Sequence, residues 1–109
     1  MSNRIKGKQI LLQSSEPQLL AETFTNEYPN VLYHNGIFYR YVNNYGYEPY
    51  DDEVLERDVK RLLLRIRIVQ EPDKDGEAGP PRPIFVKKDI VDETIYMLRT
   101  EVLYHGEKP

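Results

Sequence analysis

Residues 31–69 read VLYHNGIFYRYVNNYGYEPYDDEVLERDVKRLLLRIRIV, and the rest of the chain is arranged around them. Asn35-Gly36 divides VLYH from IFYRYV. A two-residue type I′ turn needs positive φ at both central positions, and Asn-Gly supplies it at least cost. The flanks are rich in Val, Ile, Tyr and Phe, as strands prefer. A hairpin is therefore predicted, about 31–34 with 37–42. Period two puts Ile37, Tyr39 and Tyr41 on one face and Phe38, Arg40 and Val42 on the other. A second turn is read at Asn43–Gly46. Tyr47-Glu48-Pro49 is a candidate third strand, confined to an edge by its proline.

Asp51 or Asp52 is the expected N-cap of a long helix, and the acidic run 51–53 suits the positive end of its dipole. Leu55, Val59, Leu62, Ile66 and Val69 step by three and four and form a core stripe. Arg57, Lys60, Arg61, Arg65 and Arg67 fall on the opposite arc, with Leu64 and Ile68 among them. Two explanations fit these apolar residues. Either the helix ends early and 64–68 is extended, since Leu-Arg-Ile-Arg-Ile alternates, or this face meets a partner.

Upstream, residues 1–15 are read as a flexible basic end carrying Arg4, Lys6 and Lys8. Ser15 is a candidate cap, Pro17 is tolerated in a first helical turn, and Gln18 completes a capping-box spacing. A helix is predicted over 16–27 with Leu20, Ala21 and Phe24 on its core face, stopped by Pro29. Such a marginal hairpin must rest on a helix, either this first one or the one that follows it. Downstream, the Pro/Gly/acidic stretch QEPDKDGEAGPPRP at 70–83 predicts a weakly ordered loop. Ile84-Phe85-Val86 then re-enters the core. Asp89 is the expected cap of a last helix with Val91, Ile95, Leu98 and Val102 inward, Leu103-Tyr104 closing it and Gly106 stopping it. Residues 107–109 form a tail. The expected fold is α+β, a single domain over 16–106, small and mostly helical, with three helices packed around a β-hairpin.

The net charge of −3 removes any global pull toward nucleic acid or anionic membrane. The lack of cysteine excludes disulfides, thiolate nucleophiles and cysteine-bound zinc. No apolar run is long enough to span a bilayer, and Ile10-Leu11-Leu12 is too short for a signal-peptide core, so a cytoplasmic location is expected. There is no phosphate-binding loop, no dinucleotide fingerprint and no zinc-protease motif. His34 reads as a hairpin-end residue, and Asp51-Asp52-Glu53 as a helix cap before a metal site. No catalytic residue, cofactor or metal is assigned, and the chain is expected not to be an enzyme.

Two features can bind. Between Arg57 and Arg67, five basic residues less Asp58 leave a local charge of +4. Such a face is either a solvated helix surface or a contact for phosphates. The second feature is the Tyr set 33, 39, 41, 45, 47 and 50, which can stack on bases, anchor an interface, or fill the wet edge of a small core.

Leu20-Ala21-Glu22-x-Phe24, Val31-Leu32-Tyr33, Gly36-x-Phe38-Tyr39-x-Tyr41 and Tyr47-Glu48-Pro49, followed by an acidic helix start, resemble a known module over about residues 17–69. It is the accessory domain that precedes the superfamily 3 helicase motor in phage, plasmid and poxvirus-type primase–helicases. The resemblance implies a non-catalytic domain of DNA replication that helps assemble the ring and touches DNA, either within a larger primase–helicase or as a free-standing relative. The motor's Walker motifs are not in this sequence, and the acidic insert at 70–83 departs from the pattern. The expected function is thus DNA contact without sequence specificity, or contact with the helicase motor or neighbouring subunits. Arg57, Lys60, Arg61, Arg65, Arg67 and Arg40 are the candidate phosphate ligands, and Leu64 and Ile68 the candidate partner contacts. The rival expectation is a small protein–protein adaptor or regulator with no nucleic-acid role. A winged-helix reader using the hairpin as its wing fits less well, because the 87–104 helix is mostly acidic and apolar.

Overall fold

A computed structural model describes residues 8–43 and 46–104. The elements in chain order are β1 (Ile10–Leu12), α1 (Pro17–Glu27), β2 (Val31–His34), β3 (Ile37–Val42), β4 (Gly46–Pro49), α2 (Asp52–Arg65), β5 (Ile66–Ile68), β6 (Arg82–Pro83) and α3 (Lys88–Glu101). The expectation of a mostly helical domain around one hairpin is overturned. Over the described residues the chain is a mixed α+β structure with three helices and two three-stranded sheets, about 41% helix and 24% strand. The hairpin is part of a meander in the order β2-β3-β4, and a second sheet runs β1-β5-β6.

The hairpin forms in the predicted register. Tyr33 pairs with Phe38 and His34 with Ile37. Asn35 and Gly36 both take positive φ, 50° and 81°, as a type I′ turn requires. β4 joins β3 antiparallel, with Tyr41 opposite Tyr47 and Tyr39 opposite Pro49, and Pro49 lies on an edge strand as expected. Val31 and Phe38 turn to the core, where Tyr33 packs against them. The other face of the same sheet carries Ile37, Tyr41 and Tyr47, all exposed.

The second sheet is the larger surprise. Ile10–Leu12, placed in a frayed end by the sequence, runs parallel to β5 in the register Ile10–Ile66 to Leu12–Ile68. Arg82–Pro83, at the close of the expected loop, pairs antiparallel with Arg67–Ile68. The parallel pair joins residues 56 positions apart, and such non-local pairing leaves little trace in local pattern.

α1 begins at Pro17, as predicted within one residue, but by a different cap. Glu16 is the N-cap without a side-chain hydrogen bond, while the Ser14 hydroxyl accepts from Glu16 N–H at 3.4 Å. The Ser15–Gln18 capping box does not form; Gln18 instead donates to Glu22 and to Glu101 of α3. Leu20, Ala21 and Phe24 are fully buried. Each large side chain so buried contributes about 1.5–3 kcal/mol. α2 is capped by Asp51, whose carboxylate accepts from Glu53 N–H at 3.1 Å and Val54 N–H at 3.3 Å. Leu55, Val59, Leu62 and Leu63 are its buried face. Of the two explanations for residues 64–68, the early helix end holds for 66–68, which are strand β5, while Leu64 and Arg65 form the last helical turn.

α3 starts two residues earlier than Asp89 would require of a cap. Lys87 is the N-cap and Asp89 sits in the first turn. The helix ends at Glu101, and the expected stop at Gly106 lies outside the described residues. Leu103-Tyr104 do not close the helical stripe. The chain there leaves the helix and runs beside β2, Tyr33 N–H donating to Val102 O at 2.8 Å and Tyr104 N–H to Tyr33 O at 2.9 Å. In 84–86, Ile84 is buried and Val86 packs on the core, but Phe85 is 79% exposed.

One continuous core joins these parts. α2 links β4 of the meander to β5 of the second sheet, and its 14 residues rise about 21 Å, so the two sheets meet opposite ends of this helix. No helix among the described residues is long and apolar enough to cross a membrane.

Candidate nucleic-acid interface

The predicted cations do not stay together. Helical steps of about 100° place Arg57, Lys60, Arg61 and Leu64 within one arc of about 100° on α2. All four are exposed. Arg57 lies 3.4 Å from the Asp58 carboxylate, while Lys60 and Arg61 form no salt bridge among the described residues. Glu53 shares the arc one turn before Arg57, leaving the patch at three positive charges against one negative.

Arg65 is occupied elsewhere. Its Nη1 lies 2.8 Å from Glu27 Oε1 at the end of α1, and its Nε donates to the Lys8 carbonyl at 3.0 Å. Its side chain is only 19% exposed. It ties α1, α2 and the lead-in to β1 together. Arg67 is no longer on the helix. From β5 its Nη1 donates to the Leu64 and Ile66 carbonyls at 2.9 and 3.0 Å, satisfying the open carbonyl end of α2. Arg40 sits on β3 with its guanidinium 5.0 Å above the Tyr50 ring and 3.7 Å from Glu48. The six candidates thus resolve into two exposed cations without a salt bridge among the described residues, Lys60 and Arg61, an exposed Arg57 paired with Asp58, and three that hold partners away from the arc.

The two candidate partner contacts separate as well. Leu64 is 49% exposed within the basic arc. Ile68 lies in β5, half-buried and packed against the core.

The tyrosines are divided between core and surface. Tyr39 and Tyr50 are buried, and Tyr33 tilts against Phe38 at 4.7 Å. Tyr41 and Tyr47 form an exposed edge-to-face pair at 5.4 Å. Tyr45 lies outside the described residues. Among the described tyrosines of the predicted set, only Tyr41 and Tyr47 therefore present a pair of rings outward, on a sheet face with no arginine or lysine in register beside them. Phosphate contacts and ring stacking are not offered by a single surface.

Sequence reasoning missed a buried polar joint beneath the α2 arc. The Tyr50 hydroxyl donates to Asp58 Oδ2, and both residues are more than nine-tenths buried. Burial pushes the Tyr50 hydroxyl pKa far up, and the hydrogen bond to the Asp58 carboxylate adds to it. Tyr28, stacked on Phe24 at 4.4 Å, is raised for the same first reason, with the Asp58 charge second. Asp58 was counted only as a deduction from the basic face. The available signal was its position, one residue before the core residue Val59 on a helix whose other acids lie in the first turn and a half.

Among the described residues no group of three or more His, Asp or Glu side chains is placed to hold a metal ion. No family model, curated protein or solved structure matches this chain.

Proposed function

We propose that this chain is a non-catalytic binding domain that contacts DNA phosphates through Arg57, Lys60 and Arg61, as an accessory domain of a cytoplasmic DNA-replication primase–helicase. The observation that carries the reading is the set of three solvent-facing cations on one arc of α2, two of them without a carboxylate partner among the described residues. Phosphate contacts of this kind neutralise backbone charge and read no bases. Arg40, Arg65 and Arg67 support the fold that presents the arc. Leu64, apolar at its centre, is the point at which a motor domain or a neighbouring subunit would add contact. The placement of this domain beside a helicase motor rests on the resemblance over residues 17–69 alone.

The test is fluorescence anisotropy with labelled single-stranded and duplex DNA at low salt, comparing the native chain with Arg57→Ala/Lys60→Ala/Arg61→Ala. Binding by the native chain that the triple variant loses supports the reading. Equal binding by both, or none by either, refutes it.

A second reading, a protein adaptor without nucleic acid, is favoured by the exposed Tyr41–Tyr47 pair. Tyr and apolar anchors at an interface hold with little salt dependence, whereas phosphate contacts weaken steeply as salt rises.

A further inference from the structure

On another side of the molecule, the hairpin, the start of α2 and the exposed face of α3 enclose a groove of about 350 Å³. Its floor is apolar and aromatic, made by the half-buried Tyr33 and Ile95 over the buried Phe38 and Leu55. Its rim is acidic, with Asp52 and Glu56 from α2 and Asp92 from α3. A second hollow of about 350 Å³ adjoins it along α3, sharing Asp92 and Tyr96 and adding Glu93 and Met97. Four carboxylates thus line the pair of hollows against one cation, Arg99. Lys88, paired with Asp92 at 2.9 Å, offsets part of that charge from the flank.

Arg99 shows how this surface handles a cation. Its guanidinium carbon lies 5.7 Å from the Tyr33 ring centroid and 5.5 Å from that of Tyr96. The negative π-faces of aromatic rings attract guanidinium at such distances. Tyr96 is 65% exposed, an unusual placement for a large ring on a helix that also carries buried Val91 and Leu98. We infer that this groove is a docking site for a basic peptide segment of a partner protein, its apolar side chain against Tyr33 and Ile95 and its flanking arginine or lysine side chains against Asp52, Glu56 and Asp92. Charge complementarity selects the occupant. An acidic segment or a nucleic-acid backbone meets four carboxylates here, so this site is distinct from the basic arc of α2 and does not depend on it.

The test uses a fluorescein-labelled peptide with three arginines around a central leucine, titrated into the full chain. Three chains are compared: native, Glu56→Lys/Asp92→Lys, and Glu71→Lys/Asp75→Lys, which makes the same charge change in the 70–83 loop. The native chain is expected to bind, with amide shifts at Tyr33, Ile95, Tyr96 and Arg99. The groove variant is expected to bind about tenfold or more weakly, the loop variant within about twofold of native. Tyr96→Ala, at an exposed position that folding does not need, is expected to weaken binding without lowering the melting temperature. The inference is overturned by equal loss in the groove and loop variants, by native affinity in Tyr96→Ala, by shifts confined to other surfaces, or by no binding at about 1 mM peptide.

Discussion

The salt dependence of DNA binding separates the surface that the chain presents from the one its sequence suggests. Each phosphate neutralised on duplex DNA contributes about −0.9 to the slope of log affinity against log salt. Five contacts on α2, the number of cations between Arg57 and Arg67, require a slope of about −4.5, or a loss of about 500-fold between about 50 and 200 mM salt. Arg65 holds Glu27 and the Lys8 carbonyl, and Arg67 holds the carbonyls at the end of α2. With Arg57, Lys60 and Arg61 alone, the slope is expected near −2.7, a loss of about 40-fold over the same range. The assay is anisotropy of labelled duplex across a salt series, for the native chain, Arg61→Ala and Arg65→Ala. Arg61→Ala should reduce the slope by about 0.9, while Arg65→Ala should leave it unchanged and lower stability, since it strands Glu27. A native slope near −4.5, or a change of about 0.9 on Arg65→Ala, would refute the division of the cations into three exposed on the arc and the rest turned to other partners.

Tyr50→Phe removes the hydrogen bond to the buried Asp58 carboxylate and is expected to destabilise the chain by about 1.5–3 kcal/mol, read as a fall in urea midpoint at constant m-value. A change below about 0.5 kcal/mol would mean the pair contributes nothing net. The raised Tyr50 and Tyr28 hydroxyls also set an alkaline limit. Below the ordinary tyrosine value of 10.0 both folded and unfolded chains keep these protons, and the full stability is present. Above it the unfolded chain releases the Tyr50 proton that the folded chain retains, so stability falls by about 1.4 kcal/mol per pH unit from this group, and Tyr28 acts in the same direction. Tyrosinate absorbance followed with circular dichroism should show part of the titration coinciding with unfolding. Gly36→Ala should cost about 1–2 kcal/mol, since φ is +81° and nothing lies within 4 Å of the added carbon, so the penalty is conformational and not a clash. Leu64→Glu should shift stability by no more than about 0.5 kcal/mol while weakening any self-association measured by sedimentation, because its side chain is half exposed in the basic arc.

Much of the fold was readable because its cause is local. Asn35-Gly36 permits one tight turn, and two strand-forming flanks follow from it. Asp51 before an i, i+3, i+4 stripe specifies the start and inner face of α2. Leu20, Ala21 and Phe24, and Val91 and Leu98, are buried as their spacing requires. Caps were less legible, since Ser15 and Asp89 had the right chemistry but the chain enters α1 and α3 through Glu16 and Lys87. The candidate site was half legible for the same reason. Periodicity places Arg57, Lys60 and Arg61 together on a helix surface, because 100° per residue is a local rule.

What only the tertiary structure decided is where that rule stops. Arg65 and Arg67 have the composition of a phosphate ligand, but a cation's role is set by the nearest acceptor, and theirs come from α1, the approach to β1 and the carbonyls closing α2. The parallel pairing of Ile10–Leu12 with Ile66–Ile68 converts a helical domain with one hairpin into two sheets joined by α2. A three-residue strand has no periodicity of its own, and the hydrogen bonds that define it lie on a segment more than fifty residues away. The sequence by itself determined the hairpin, the helices and the exposed basic arc, each the product of contacts within a few residues. The second sheet, the engagement of Arg65 by Glu27 and the Lys8 carbonyl, and the acidic aromatic groove arise from distant residues brought together, which no local pattern encodes.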